Sequence, residues 1–173
     1  MSLPLVSIVT PSLNSATWIT ETIASVLAQD YARLEYIVMD GGSTDETHAI
    51  LRGFGDRLTW YTEPDSGISQ AVNRGWARSH GEILAWIGSD DLYRPGAVAA
   101  AVAALSAQPE VSAVYGNCDV INAQSRVVGR IVSGPFDRGR LLGWNYLAQP
   151  AVFMRRTALA QAGWLDESLF NVM

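Results

Sequence analysis

Two adjacent carboxylates, Asp90 and Asp91, are separated by only Gly88 and Ser89 from an apolar run that extends from residue 83 to residue 87. A buried strand that ends in this way holds two negative charges at the edge of a sheet. Their repulsion must be offset by a basic group, a proton or a divalent cation. Such a pair can bind Mg²⁺ or Mn²⁺ and leave coordination positions for diphosphate oxygens. The simpler alternative is a polar strand end, with Asp91 capping a helix that begins near Pro95.

Polar residues also follow the three earlier strands that the sequence predicts. Asn14 comes after the first strand, Asp40 after the second and Asp65 after the third. A single aspartate after a strand is usually a turn residue or a helix cap. In a parallel sheet, however, all of these residues gather at the edge where the strands end and where ligands bind. A carboxylate there can accept a hydrogen bond from a ribose hydroxyl or from a base N–H.

Strand-like and helix-like segments alternate along the first two thirds of the chain. Strands are predicted at 5–10, 34–39, 58–62 and 82–87, and helices at 15–29, 43–52, 68–79 and 97–107. The second helix opens on Ser43-Thr44-Asp45-Glu46, which has the pattern of a capping box. After residue 108 the pattern changes to strands at 113–116, 127–132 and 151–154. We therefore predict one α/β domain, with a mostly parallel, partly mixed sheet covered by helices on both faces.

The composition excludes several classes of protein. The net charge is −5 and the only basic doublet is Arg155-Arg156, which argues against a nucleic-acid partner. Cys118 is the single cysteine, so no disulfide can form within the chain and a reducing compartment is expected. No apolar run approaches the ~20 residues that span a bilayer, and the first residues lack the pattern of a signal peptide. We expect a cytoplasmic protein, or one bound peripherally at the inner face of the cell membrane.

Three stretches, 6–14, 36–47 and 81–91, resemble the family 2 inverting glycosyltransferases of the GT-A fold. Segments 63–68, 149–156 and 163–169 are similar to the bacterial polysaccharide branch of that family. The resemblance covers nearly the whole chain. It implies a GT-A, Rossmann-like fold and transfer of a sugar, with inversion, from a nucleotide-diphospho-sugar donor. A UDP-sugar is the favoured donor, and the acceptor is a hydroxyl of a saccharide or a lipid-linked molecule in polysaccharide or glycoconjugate synthesis.

The resemblance also implies a nucleotide site formed by Pro11, Ser12, Asn14, Asp40, Asp65 and Asp90. Asp40 would contact the base, Asp65 would lie near the base or ribose, and Asp90 would face the ribose and the diphosphate. Asp91, with Asp90, would hold Mg²⁺ or Mn²⁺. Many relatives carry aspartate where this chain has Gln70 and Gly88. The metal site is therefore expected to depend mainly on Asp91.

The resemblance places the catalytic base beyond Met173, because relatives continue after residues 166–169 into an acidic motif that supplies it. Asp166 is then read as a structural residue. The nucleotide-binding part is expected at 4–108, and the start of the acceptor-side part at 109–173. On this reading residues 1–173 bind donor without transferring sugar. An apolar face, and hence self-association as a homo-oligomer, is predicted from Trp164, Leu165, Leu169 and Phe170.

Two other functions remain open from the residues alone. A sugar nucleotidyltransferase would need a glycine-rich loop with Arg or Lys after the first strand, and residues 11–15 contain neither glycine nor a basic side chain. A non-catalytic module that binds nucleotide-sugars would bind the donor without transferring it. A binding measurement paired with a turnover measurement separates this second alternative from an enzyme.

Overall fold

The computed structural model describes residues 3–169, so Phe170 and Met173 lie outside the described residues. The elements follow one another in the order β1 (Val6–Ser12), α1 (Ile19–Leu27), β2 (Leu34–Asp40), α2 (Thr47–Phe54), β3 (Thr59–Thr62), α3 (Ile68–Arg78), β4 (Ile83–Trp86), α4 (Ala97–Ala107), β5 (Ala113–Tyr115), β6 (Cys118–Ile121), β7 (Val127–Ile131), α5 (Arg138–Gly143), β8 (Val152–Arg155) and α6 (Arg156–Ala162). Short 3₁₀ turns lie at Gly55–Arg57 and Gln149–Ala151.

Six of these strands form one sheet in the order β3-β2-β1-β4-β8-β5. The pairs β1–β2, β2–β3 and β1–β4 are parallel, whereas β8 runs antiparallel to both β4 and β5. The predicted mixed α/β sheet is therefore confirmed. Strands β2 and β3 lie on one side of β1, whereas β4 lies on its other side. The strand order therefore reverses between β1 and β4. In open α/β sheets this reversal opens a ligand crevice at the carboxyl ends of the strands.

Neighbouring residues of the central strands point to opposite faces of the sheet, and each face carries its own core. Ile8 of β1 packs with α1, α2 and α4, whereas Val9 packs with α3 and α6. The buried indole of Trp76 in α3 donates its N–H to the carbonyl of Ala85 in β4 at 3.1 Å. This hydrogen bond satisfies the polar atom of a large core side chain. The strand ends between the two cores are thereby held in fixed positions.

Helix α3 approaches the sheet closely at Gly75. A β-carbon at this position would lie 2.5 Å from Val9 Cγ1 and 3.1 Å from Met39 Cγ. We expect Gly75→Ala to lower the free energy of unfolding by about 1–3 kcal/mol, because branched Val9 cannot move aside without disturbing β1. The matched control is Gly53→Ala in α2, where nothing lies within 4 Å and the helix propensity of alanine is expected to stabilise by about 0.5–1 kcal/mol. Urea denaturation of both variants measures this difference, and equal effects would contradict it.

The capping-box prediction was wrong. Helix α2 begins at Thr47 rather than Ser43, and its N-cap residue, Glu46, makes no side-chain cap. The hydroxyl of Ser43 instead donates to Asp40 and accepts from the backbone N–H of Asn14. Helix α1 also begins later than predicted, at Ile19. Both shifts lengthen the loops that follow β1 and β2, which border the crevice.

Strand β6 and helices α5 and α6 were not predicted. Among residues 3–169, strand β6 pairs with β7 alone, in a separate two-stranded antiparallel ribbon. Within the described residues, no helix is long and apolar enough to cross a membrane.

Candidate functional site

Asn14 joins the loop after β1 to the loop after β2. Its side-chain oxygen accepts from the backbone N–H of Thr44 at 2.8 Å, and its own N–H donates to Ser43 Oγ at 2.8 Å. Its φ of 50° lies in the left-handed region, which asparagine tolerates better than most residues. The backbone N–H of Ser15 donates to Thr47 Oγ1 at 3.0 Å and extends the same connection. Two loops that are distant in sequence thus form one wall of the crevice.

Asp40, at the end of β2, has a fully buried side chain that four donors surround. Its Oδ2 accepts from the N–H groups of Gly42 and Ser43, each at 3.1 Å, and lies 2.7 Å from Nε2 of His48. Its Oδ1 accepts from the hydroxyl of Ser43. Burial raises the pKa of Asp40, but the hydrogen bonds from Ser43, His48 and Gly42 outweigh burial and hold that pKa below its usual value. The carboxylate is therefore stable as an anion and fixes the turn at 41–43.

Asp65, after β3, lies against the backbone of Gly41. A β-carbon at Gly41 would fall 2.7 Å from Asp65 Oδ2, so a side chain there would collide with the carboxylate. Asp65 Oδ1 accepts from the N–H of Gly67 at 2.9 Å. Among residues 3–169, no hydrogen-bond donor contacts Oδ2 of Asp65. Asp65 is thus a partly exposed acceptor beside the buried Asp40.

Asp90 and Asp91 converge on Gly88. A β-carbon at Gly88 would lie 3.0 Å from Asp90 Oδ1 and 3.0 Å from Asp91 Oδ2, so the missing side chain leaves space that both carboxylates face. Burial, with the charge of Asp90, raises the pKa of Asp91 to about 6. Within the described part of the chain, neither carboxylate forms an ion pair with a basic side chain. The repulsion expected from the sequence is present without a protein counter-charge.

This carboxylate pair fits a divalent cation that is shared with a ligand. Within residues 3–169, no three His, Cys, Asp or Glu side chains come together as a complete metal site. Mg²⁺ and Mn²⁺ sites commonly use one or two carboxylates and complete their shell with water and substrate phosphates. Two uncompensated carboxylates that share an open space satisfy that requirement.

Pro11 and Ser12 end β1 and are both buried. Ser12 pairs in register with Asp40, and its carbonyl accepts from Gly41 N–H at 2.8 Å. The hydroxyl of Ser12 is buried and has no hydrogen-bond partner among the described residues. An unpartnered buried hydroxyl is costly to leave unsatisfied, so a group at the crevice that bonds to it would gain affinity.

The predicted residues fall into two groups that lie on either side of the loop after β1. Asp40 and Asp65 meet through Gly41 on the β2–β3 side, whereas Asp90 and Asp91 lie beyond β4. The hydroxyls of Ser15 and Ser89, 2.8 Å apart, connect this loop to the β4 end. The structure therefore brings all four acidic residues to one edge as two separate pairs, Asp40 with Asp65 and Asp90 with Asp91.

Sequence reasoning did not identify His48 as part of this site. It binds Asp40, its ring packs on Trp60 with centroids 5.4 Å apart, and its side chain is 28% exposed. The spacing carried a signal: a histidine in the first turn of the helix after a strand-end aspartate can reach back to that aspartate.

The segment after α6 is attached to α3 by amide side chains. Asn73 donates to the carbonyl of Leu165 at 2.8 Å and accepts from its N–H at 3.1 Å. Glu167 accepts from Asn73 at 2.9 Å and from Gln70 at 3.0 Å. Asp166 is exposed and accepts from the N–H and hydroxyl of Ser168, which closes a local turn. This geometry supports the structural role expected for Asp166.

The predicted apolar face at the end of the chain is only partly exposed. Trp164 packs near Trp76 and is 44% exposed, and Leu165 packs on the α3 core. Leu169 is 54% exposed, and Phe170 lies outside the described residues. Self-association through this face stays a prediction.

Comparison with known proteins gives one consistent result. Residues 7–159 match the sequence model of Glycosyl transferase family 2. An uncharacterized glycosyltransferase of Mycobacterium tuberculosis H37Rv is 38% identical over 170 residues, which are 95% of this chain and 64% of that protein. A PGL/p-HBAD biosynthesis glycosyltransferase of Mycobacterium bovis BCG is 32% identical over 168 residues, or 94% of this chain and 64% of that protein. The chain thus spans 64% of the length of these relatives.

Solved structures agree on the fold. A mannosyltransferase from Pyrobaculum calidifontis, in complex with GDP-Man and Mn²⁺, superposes with a TM-score of 0.74 at 24% identity over 98% of this chain and 49% of that one. Residues 1–349 of TarS from Staphylococcus aureus, in complex with UDP-GlcNAc, give a TM-score of 0.74 at 20% identity over 91% of this chain and 47% of that one. The sheet, the edge of acidic residues and these matches lead to one conclusion: the chain has the GT-A fold and belongs to Glycosyl transferase family 2.

Proposed function

We propose that this chain is the donor-binding part of an inverting glycosyltransferase that takes its sugar from a nucleotide-diphospho-sugar. The observation that carries the proposal is the uncompensated pair Asp90 and Asp91, which lies at the sheet edge that also holds Asp40 and Asp65. A divalent cation supplies the positive charge that this pair lacks. A nucleoside diphosphate bound to that cation extends along the sheet edge toward Asp40 and Asp65. The structural neighbours bound to GDP-Man with Mn²⁺ and to UDP-GlcNAc support this proposal by analogy of fold.

Asp91, with Asp90 beside it, would hold Mg²⁺ or Mn²⁺ in this proposal. The cation supplies Lewis-acid stabilisation of the departing diphosphate. The protein itself orients the donor: Asn14 fixes the loop above the nucleotide, and Pro11 and Ser12 form the floor at the end of β1. The buried hydroxyl of Ser12, which has no partner among the described residues, is a donor already positioned for charge that develops on a leaving group.

Asp40 and Asp65 are the proposed residues for the base and ribose. Uracil offers an N–H between its two carbonyls, and a carboxylate is a suitable acceptor for that group. His48 is the partly exposed donor of the Asp40 network, so a base N–H reaches Asp40 only by replacing that contact. Asp65 Oδ2 has no such competitor in the described chain. We therefore favour a UDP-sugar, with Asp65 as the more accessible acceptor.

Inversion follows from a single displacement, in which an acceptor hydroxyl attacks the anomeric carbon while a general base removes its proton. None of the described residues 3–169 is assigned as this base. The acceptor is proposed to be a saccharide or a lipid-linked molecule of a cell-surface glycoconjugate. A sugar nucleotidyltransferase is disfavoured, because the loop after β1 presents no basic side chain and its backbone is bound to residues 43–47.

Calorimetric titration with UDP, GDP and ADP, each with and without Mn²⁺, tests the donor assignment. We expect UDP to bind more tightly than ADP, because uracil presents a ring N–H between its two carbonyls, whereas the N–H donors of adenine lie on its exocyclic amine, at a different position. Asp65→Asn should reduce UDP affinity about 5- to 150-fold, the range of a lost hydrogen bond to a charged group, with stability unchanged. Tighter binding of ADP than UDP would contradict the uridine preference. A parallel assay for transfer from UDP-sugars distinguishes an enzyme from a module that only binds them.

A further inference from the structure

The ribbon β6–β7 and the segment after it expose an unusual number of large apolar side chains. We call residues 126–144 the hairpin surface. Its six large apolar residues that are more than half exposed are Val127 at 55%, Val128 and Val132 at 63%, Phe136 at 62%, Leu142 at 82% and Trp144 at 74%. All six belong to one continuous segment of the chain, and exposed apolar side chains that lie close together on a protein surface commonly mark a binding site.

The hairpin surface is also basic, although the chain is acidic. Residues 126–144 contain four arginines and one acidic residue, a net charge of +3, whereas the whole chain carries −5. The remainder therefore carries −8. The apolar residues between the arginines separate them along the sequence, so they do not appear there as a basic cluster.

Part of this positive charge has no acidic partner among residues 3–169. Arg130 pairs with Asp119 at 2.8 Å, and Asp137 is used as the N-cap of α5, where it accepts from the N–H of Arg140 at 2.9 Å. Within residues 3–169, Arg126 and Arg138 form no ion pair. An occupant of this surface must therefore be apolar and negatively charged at once.

We propose that the hairpin surface binds an anionic lipid bilayer. Exposed Trp, Phe, Leu and Val enter the boundary between headgroups and acyl chains, and arginines beside them bind anionic headgroups. A second copy of the chain fits less well, because a two-fold interface sets the same unpaired arginines against one another and interface cores are depleted of charge. Nucleic acid would satisfy the arginines but not the apolar side chains between them.

The location of the ribbon links this surface to the proposed donor site. Ser125, at the turn of the ribbon, donates to Glu21 of α1 at 2.7 Å, and Asp119 pairs with Arg94 after β4. Ile121 and Asn122 line a cleft of about 240 Å³ together with Asp90. If the proposed transferase function holds, bilayer binding brings an acceptor that is embedded in lipid beside Asp90. This last step rests on the proposed function, whereas bilayer binding itself does not.

Flotation with vesicles tests the proposal without any activity measurement. We expect binding to phosphatidylcholine vesicles that contain about one third phosphatidylglycerol, weak binding to pure phosphatidylcholine, and release as NaCl rises from about 0.1 M to about 0.5 M. Arg126→Gln with Arg138→Gln should weaken binding about 30-fold, since each basic residue near an anionic surface contributes about a fivefold gain. The control with equal charge loss is Arg52→Gln with Arg57→Gln on the α2 side, which should bind like the unchanged protein.

Vesicle flotation also tests the contact of the apolar side chains with lipid. Leu142→Ser should weaken binding about tenfold, whereas Leu169→Ser, which also removes an exposed leucine, should not. Brominated lipids should quench the fluorescence of the protein, and Trp144→Phe should remove most of that quenching. The control Trp164→Phe should retain it. Circular dichroism and UDP titration of every variant verify that fold and donor site are unchanged.

Each of the following results would overturn the proposal that the hairpin surface binds a bilayer. Absence of binding to anionic vesicles, or equal loss in the arginine pair and its control, means that this surface is not a bilayer contact. Quenching that survives Trp144→Phe means that another face contacts the lipid. A dimer in light scattering that Leu142→Ser dissociates, without vesicle binding, identifies a second copy as the occupant. In all of these cases UDP affinity stays as measured, so a failure here is distinguishable from a failure of the proposed function.

Discussion

Replacing Asp91 with asparagine is expected to remove most of the gain in UDP affinity that Mn²⁺ provides. Asp91 and the diphosphate are both negative, and the structure places no basic side chain of the described residues against Asp91 to offset them. A divalent cation is then what allows the two to approach. An asparagine keeps the shape of the side chain but loses the charge that binds the cation. The expected loss is about tenfold to a hundredfold in the Mn²⁺-dependent part of the affinity, on the order of one to two charge-assisted contacts.

The same substitution should stabilise the protein when no metal is present. Burial and the charge of Asp90 raise the pKa of Asp91 to about 6. A carboxyl with a raised pKa in the folded state destabilises the fold progressively as pH rises from about 4 to about 6, since folding then opposes ionisation, and the destabilisation stays constant at higher pH. Conversion of the whole shift in the pKa of Asp91 into free energy gives a destabilisation of ~3 kcal/mol. Solvent screening of this partly exposed pair reduces that destabilisation to about 1–2 kcal/mol. Asp91→Asn should therefore raise the free energy of unfolding at pH 7.5 and change it little at pH 4.

Calorimetry and urea denaturation on the same preparations measure both effects. The control is Asp56→Asn, an exposed aspartate away from the crevice, which should change neither metal dependence nor stability. Because cation binding requires the ionised carboxylate, the benefit of Mn²⁺ in the unchanged protein should also fall between pH 7.5 and pH 5.5. Equal UDP affinity with and without Mn²⁺ in the unchanged protein would refute the metal assignment.

The alternation of strands and helices and the mostly parallel sheet could be predicted because local and tertiary preferences agree in the first 108 residues. In β1, Ile8 and Val9 are both apolar and both buried, one in each core, which is the pattern of a parallel strand covered on two faces. The loops after such strands must emerge at one edge. The positions of Asn14, Asp40 and Asp65 therefore followed from the fold class, before any contact was known.

The contacts within the edge could not be predicted, because they join residues that are distant in sequence. Ser43 has the local signature of a helix cap, but Asp40 and Asn14 compete for its hydroxyl and bind it more favourably in the fold. His48 looked like a helix-surface residue for the same reason. The ribbon was missed in part because Cys118–Ile121 mixes apolar and polar residues and, among residues 3–169, pairs with β7 alone. Its strands lack the buried pattern on which strand prediction depends.

Replacing Asp40 with asparagine is expected to damage stability and donor binding together. The buried carboxylate accepts from Gly42, from Ser43 and from His48, and an asparagine amide would point a donor at some of these donors. Leaving buried groups unsatisfied costs about 1–3 kcal/mol for each such group. We expect Asp40→Asn to lower the free energy of unfolding at pH 7.5 by about 2–3 kcal/mol and to weaken UDP binding as the turn at 41–43 loosens.

The pH dependence has the opposite sign to that of Asp91. The pKa of Asp40 is held below its usual value, because the hydrogen bonds outweigh the effect of burial. Its contribution to stability is present above about pH 4, the usual carboxyl pKa, and is lost as pH falls through the lowered folded value. The difference in stability between the unchanged protein and Asp40→Asn should therefore be large at pH 7.5 and should narrow toward pH 3.

Two further variants show whether Asp40 acts on the base directly or through the turn. Asp65→Asn, on the partly exposed acceptor beside it, should weaken UDP binding without a change in stability. His48→Gln should keep a donor near Asp40 and cause a smaller loss of stability than Asp40→Asn. If Asp40 were a direct base acceptor and nothing more, Asp40→Asn would lower UDP affinity and leave urea denaturation unchanged. Coupled losses in Asp40→Asn, together with an isolated binding loss in Asp65→Asn, would identify Asp40 as the residue that builds the base pocket and Asp65 as the one that contacts the nucleotide.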